Sequence, residues 1–211
     1  QLHQSDANVE ITVLCGESRL AYDRVYLSSF FSGASADDLA LTTPAQYAEW
    51  GVNVVTNALV TDIDRDNNKV TTSEGQVFSY DKLVLATGSY PFVPPIPGND
   101  QEHCLVYRTI DDLLAIEASA AVSKVGVVVG GGLLGLEAAN ALKQAGLDTH
   151  VVEFAPQLMA VQLDQAGGNV LKDKIEALGV MVHTQKATQT IEAGDTCRYK
   201  MVFADGTALE T

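Results

Sequence analysis

Apolar residues alternate with polar ones in VEITVLC (9–15), and the β-branched content of that run predicts a strand that stops just short of an acid, Glu17. The following stretch, RLAYDRVYLSSFFSG, has no such regularity and reads as an irregular segment closed by Gly33. SADDLA and PAQYAEWG read as two short helical turns, the second with Pro44 at a permitted first position and Gly51 as a stop. VNVVT, NALVTDIDRD and KVTTSEGQVFSYDKLVLATG then alternate about the turns DNN and SEGQ, which predicts a meander of short strands. Four of the six prolines fall in PFVPPIPG (91–98), where fixed φ values and missing donors exclude helix and central strand, so a domain boundary is expected there. Beyond it TIDDLLAIEASAAVS (109–123) predicts a helix, with Thr109 as its N-cap and Asp111 and Asp112 in the first turn, where acids suit the helix dipole. The rest alternates: strand 125–129, helix 132–145, strand 149–153, helix 164–178, strand 180–184, then strands near 187–193 and 198–203. Strand–helix–strand alternation implies a parallel sheet and an α/β fold.

Composition narrows the picture. The 211 residues are 46% hydrophobic, ample for a buried core, and no apolar run approaches the roughly 20 residues that cross a bilayer. The start, QLHQSDANVE, has neither the basic flank nor the apolar centre of a signal peptide, so a cytoplasmic protein without a membrane partner is the expectation. A formal charge of −14 repels polyphosphate backbones and argues against nucleic acid as a partner. Cys15, Cys104 and Cys197 are too far apart for a redox pair, and His3, His103, His150 and His183 have no metal-ligand spacing among themselves or with the cysteines.

The chemistry concentrates in KVGVVVGGGLLGLEAANALKQAG. Gly130, Gly132 and Gly135 satisfy G-x-G-x-x-G directly after an apolar strand and at the head of an amphipathic helix that ends at Gly146. In that context the first glycine allows the tight turn, the second lets backbone approach a pyrophosphate, and the third lets the helix pack close to the strand. The next strand delivers Glu153 eighteen residues beyond Gly135, where a carboxylate accepts hydrogen bonds from an adenosine ribose. Glu153 argues for NAD(H) over NADP(H), because a 2′-phosphate would meet it and no Lys or Arg lies between it and Lys172. Glu137, one turn into the helix, has two readings: compensation of the helix dipole, or a carboxylate facing the cleft where nicotinamide meets its redox partner.

A nicotinamide module needs a partner for its hydride. VEITVLCGE repeats the logic of THVVE, a strand whose end presents an acid, here Glu17, to a second ribose. A complete unit would carry a glycine turn roughly 20 residues before that acid, and only sixteen residues precede it, none with the motif. The expectation is therefore of two Rossmann-like dinucleotide-binding domains: residues 1–98, lacking an opening strand and glycine turn and containing the β-meander, and residues 99–211, nearly complete.

AYDRVYLSSFFS, YDKLVLATGSYPFVPPIPG, VYRTIDDLLAIE, VVGGGLLGLEAANALKQAGL and VVEFAPQLMAVQLDQAGG together resemble the large subunits of bacterial NAD(P)H-dependent assimilatory nitrite reductases. More broadly they resemble the FAD-containing pyridine-nucleotide reductases. The resemblance runs along nearly the whole chain and implies a segment from near the amino end of a longer subunit. It implies an FAD-type domain over 1–98 and an NAD(H)-binding domain over 99–211, with hydride passing from NADH to FAD. FAD-side roles fall to Glu17 (ribose), Arg24 (flavin or phosphate), Val60 (adenine, through its backbone) and Thr87 with Gly88 (backbone beside the cofactor). Plainer readings exist for Arg24, as a solvated charge, and for ATG, as an ordinary strand end. Nicotinamide-side roles fall to Gly130, Gly132, Gly135 and Glu153, with Glu137 near the nicotinamide. Iron–sulfur and sirohaem centres belong to the parent enzyme outside this chain, and the rest of the large subunit and a small subunit are the candidate partners. Two other functions stay open: a free-standing NADH reductase for a small electron-transfer protein such as rubredoxin, and a nucleotide-binding module without turnover.

Overall fold

The structure is a computed structural model that describes residues 8–211, so His3 and the opening residues of QLHQSDANVE lie outside the described residues. The chain forms two compact units, one built from the chain up to Val25 together with Ser35–Ser89, the other from Tyr26–Ala34 together with Tyr90–Thr211.

In the first unit β1 (Ile11–Leu14) runs parallel to β2 (Val52–Val55), with Ile11 opposite Val52 and Leu14 opposite Val55. This corrects the expectation that VNVVT opens the meander. Parallel pairing needs a crossover of a dozen or more residues, and residues 15–51 supply it. The crossover carries α1 (Pro44–Glu49), where Thr43 and Gln46 satisfy each other's backbone in a capping box. The meander proper is β3 (Val60–Asp64), β4 (Lys69–Thr72) and β5 (Val77–Ser79), antiparallel in chain order. Its expected last strand, KLVLATG, does not form: residues 81–96 carry no regular structure, and Val84 is 80% exposed. A strand exists through the ladder that satisfies its backbone, and no strand among the described residues pairs with this stretch.

In the second unit LSSFFS, expected to be irregular, is a 3₁₀ helix (Leu27–Ser32) ended by Gly33 at φ 98°. Gly33 N–H closes it on the carbonyls of Phe30 and Ser29, and the Ser32 hydroxyl donates to Gln144 Oε1 at 3.1 Å. α2 (Ile110–Ala120) begins at the expected cap, where the Thr109 and Asp112 side chains each accept the other's backbone N–H. Its buried residues, Ile110, Leu113, Ile116 and Ala120, recur at helical spacing and turn one face inward.

The centre of this unit is a parallel sheet in the order β6 (Val125–Val129), β7 (Asp148–Val152), β8 (Val180–His183), connected by α3 (Leu133–Gln144) and α4 (Gln165–Ala177). Ala139, Val151, Leu158, Val180 and Val182 form the core on one face, with Leu136, Leu171 and Ile175 packed against it. On the other face Val152 meets Met201 and Phe203 of an antiparallel sheet, β9 (Thr188–Ala193), β10 (Tyr199–Phe203) and β11 (Ala208–Glu210). Cover on both faces explains why Thr149 through Val152 are all buried, with no alternation of inward and outward positions. β11 was not anticipated; it is three residues long and follows a turn at Gly206, φ 80°. His150 and His183 stack in parallel on β7 and β8, ring centroids 5.2 Å apart, with Nδ1 of one 2.9 Å from Nε2 of the other. No helix among the described residues is long and apolar enough to cross a membrane. The fold is α/β with a Rossmann-like parallel sheet, as the alternation of strands and helices predicts.

Candidate functional site

Three glycines make the whole turn between β6 and α3, and each meets a different constraint. Gly130 sits at φ 119°, which L side chains rarely adopt, and its N–H donates to Val152 O at 2.8 Å. Gly131 is shut in: a Cβ there would stand 2.5 Å from Leu158 Cδ2 and 3.1 Å from Glu153 Oε2. Gly132 is the opposite, with nothing within 4 Å of where its Cβ would be. One turn on, Gly135 faces Gly130, whose carbonyl oxygen would lie 2.0 Å from an added Cβ. So Gly135 lets the helix pack on the turn, while Gly132 leaves open space outside it. Gly132 caps α3 with no side-chain hydrogen bond. The first N–H groups of a helix have no intrahelical acceptor, and together with the helix dipole they favour an anion at this position.

Glu153 leaves the end of β7, its own N–H donating to His183 O at 2.8 Å. Its carboxylate accepts the Gly131 N–H at 2.5 Å and the Ala155 N–H at 2.6 Å. The acid thereby braces the glycine turn, a contact the spacing alone does not reveal. Each oxygen keeps a further lone pair free for a hydroxyl donor. Beside it runs a groove of about 620 Å³, whose lining includes Phe92, Val129, Gly130, Glu153, Phe154 and Lys186. Lys186 is a residue that sequence reasoning missed. A scan for cations between Glu153 and Lys172 cannot find it, because the loop after β8 folds back on the acid: Lys186 N–H donates to Glu153 O and Gln185 N–H to Ala155 O, both at 3.0 Å.

Glu137 is half-buried on α3. Burial, and after it the Glu137 carboxylate, push the Tyr107 phenol up to about 12. That hydroxyl is itself buried without a hydrogen-bond partner among the described residues.

In the first unit the structure brings Glu17 and Arg24 together. The Arg24 guanidinium pairs with Glu17 Oε1, donates to the Tyr22 hydroxyl at 2.8 Å and lies 4.6 Å from the Tyr22 ring centroid. Tyr22 in turn donates to Glu17 Oε2 at 2.6 Å, so both carboxylate oxygens are engaged. Asn57 N–H donates to Glu17 O and Ala58 N–H to Cys15 O, which sets the approach to β3 against the end of β1. Val60 opens β3 in register with Thr72. Burial and the Glu17 charge raise the Cys15 thiol above its usual range. Thr87 and Gly88 are exposed in the stretch without regular structure, Gly88 at φ 68°.

Comparison with known proteins follows the same lines. The chain is 54% identical over 211 residues to the nitrite reductase (NADH) large subunit of Escherichia coli, a match covering 99% of this chain and 25% of that protein. It is 52% identical over 210 residues to the nitrite reductase [NAD(P)H] large subunit of Klebsiella oxytoca, covering 100% of this chain and 22% of that protein. The chain thus spans about a quarter of the length of these relatives. Among solved structures, a ferredoxin reductase from Rhodopseudomonas palustris superposes with a TM-score of 0.90 at 26% identity, over 99% of this chain and 52% of that one. An NAD-dependent persulfide reductase from A. fulgidus does so with a TM-score of 0.89 at 26% identity, over 100% of this chain and 41% of that one. A family model matches residues 1–211 throughout, and the chain belongs to the pyridine nucleotide-disulphide oxidoreductases.

Proposed function

We propose that this chain is the electron-input segment of an NADH-dependent assimilatory nitrite reductase, in which hydride passes from NADH to FAD and the electrons continue toward nitrite, which leaves as ammonium. The observation that carries the reading is the turn at the head of α3. Gly135 is closed against backbone, yet the space over Gly132 is open, and no side chain caps the helix head behind it. A pyrophosphate fits that combination: the amides of the turn and of the first turn of α3 would hold it, and Glu153 would accept from the adenosine ribose. Glu137 would stand on the nicotinamide side. The cofactors supply the redox chemistry, and the protein's share is to place the nicotinamide and exclude water.

On the flavin side Glu17, Arg24, Val60, Thr87 and Gly88 are the proposed contacts, within an FAD-type domain over residues 1–98; residues 99–211 form the NAD(H)-binding domain. The described residues of the first unit present no cradle comparable to the glycine turn, since Glu17 is engaged by Arg24 and Tyr22. The flavin reading therefore rests on family membership. The iron–sulfur and sirohaem centres, and docking to a small subunit, are assigned to the longer protein. The Escherichia coli relative carries NADH in its name and the Klebsiella oxytoca relative NAD(P)H. The Glu153 carboxylate favours NADH here.

The test is a titration of NADH into the protein, followed by nicotinamide fluorescence. The unaltered chain binds NADH, and Gly132→Leu loses binding while keeping its circular dichroism and a melting curve lowered by no more than the lost N-cap preference, because the added side chain enters open space. Equal affinity in the variant removes the pyrophosphate from the turn. Flavin absorbance that NADH bleaches supports a reductase segment; nucleotide binding in a colourless protein supports the bare module.

A further inference from the structure

The lysine that folds back on Glu153 has a restraint of its own. Lys186 lines the groove beside Glu153, and its backbone is tied to that acid. Its ammonium, however, bonds to the turn between β10 and β11: Nζ donates to Asp205 Oδ2 at 2.5 Å and to Thr207 Oγ1 at 2.8 Å, and lies 5.4 Å from the Phe203 ring centroid. The carboxylate that holds it is held in turn, with Asp205 Oδ1 accepting the Thr207 hydroxyl at 2.6 Å and the Thr207 N–H at 3.0 Å. The lysine's main chain is thus tied to Glu153 while its ammonium pairs with Asp205, and the Glu153 carboxylate is held by Gly131 and Ala155 instead.

This arrangement bears on the 2′ position of an adenosine lying in the groove. A 2′-hydroxyl donates to Glu153 and needs no cation. A 2′-phosphate would set a dianion beside the carboxylate, a clash that only a nearby cation offsets. We propose that the Asp205–Thr207 clamp on Lys186 decides the nucleotide choice of this groove: held, the lysine leaves Glu153 alone at the 2′ position and NADH is preferred; released, it makes the groove accept NADPH. This rests on the dinucleotide reading above.

The experiment titrates NADH and NADPH separately into the unaltered chain, Asp205→Asn and Asp205→Asn/Lys186→Met, with melting curves to establish folding. Asp205→Asn is expected to tighten NADPH about tenfold, the range of one charge-assisted hydrogen bond, while NADH stays within about twofold. In the double variant NADPH returns to its original affinity, which separates the lysine from the mere loss of a negative charge. Thr207→Val removes one of the two restraints on Nζ and is expected to move NADPH in the same direction by a smaller factor; it serves as the measurement if Asp205→Asn does not fold. An unchanged NADPH-to-NADH ratio in folded variants, or a gain that survives in the double variant, overturns the clamp while NADH binding by the unaltered chain leaves the dinucleotide reading standing. No NADH binding by the unaltered chain removes both.

Discussion

Gly135→Ala is the substitution on which the packing argument can be tested by sign. A methyl at this position would stand 2.0 Å from Gly130 O and 2.9 Å from Gly130 C. Both atoms are backbone in a turn that Glu153 and Val152 hold by hydrogen bonds, so neither can swing aside as a side chain would. Relief requires α3 to move away from β6, across a core that includes Leu136 and Ala139. Overpacking of this kind costs typically 1–3 kcal/mol, and a backbone partner argues for the upper end, about 3 kcal/mol. Against this, Gly to Ala within a helix contributes about 1 kcal/mol through propensity. The net expectation is a loss of about 2 kcal/mol, which in a chain of this size lowers Tm by about 4–8 °C. Gly132→Ala is the internal control: nothing lies within 4 Å, and its φ of −84° suits any residue, so only the weaker N-cap preference, about 1 kcal/mol or less, is at stake. Thermal unfolding followed by circular dichroism reads both. Were Gly135→Ala to melt at or above the unaltered protein, propensity alone would account for the result and the close helix–turn contact would be refuted.

Two further outcomes follow from hydrogen bonds to carboxylates. Glu153→Gln turns one acceptor into an amide donor facing the N–H of Gly131 or Ala155, which is expected to cost about 1–3 kcal/mol and to weaken NADH several-fold; unchanged denaturant midpoints would show that the brace is idle. Glu210 accepts the N–H groups of Cys197, Thr196 and Asp195, which hold its carboxyl down at about 2. A depressed folded value means that its contribution is full above about 4.5 and disappears as pH falls through about 2, so Glu210→Gln should flatten acid unfolding of the β9–β11 sheet in that window, read by amide exchange of β10.

Local patterns were legible wherever the physics is local. The cap at Thr109, the strand 125–129, the glycine spacing and the acid eighteen residues on are set by neighbours in sequence, and the structure has them where the pattern places them. KLVLATG failed because a strand is a property of its partner as much as of its own alternation, and no described strand pairs with it. VNVVT kept its strand character but changed its neighbour, since pattern carries no information on whether a ladder is parallel.

The site divides in the same way. Sequence by itself determined that a glycine turn precedes a helix and that an acid follows the next strand, because both depend on short-range backbone geometry. Only the tertiary structure decided that Glu153 braces Gly131, that Gly132 rather than Gly131 faces open space, and that Lys186 returns to the groove under the hold of Asp205. Those facts depend on residues 19 to 22 positions apart, Lys186 with Asp205 and Gly131 with Glu153, which meet only once β10 has paired with β9 and β7 with β6.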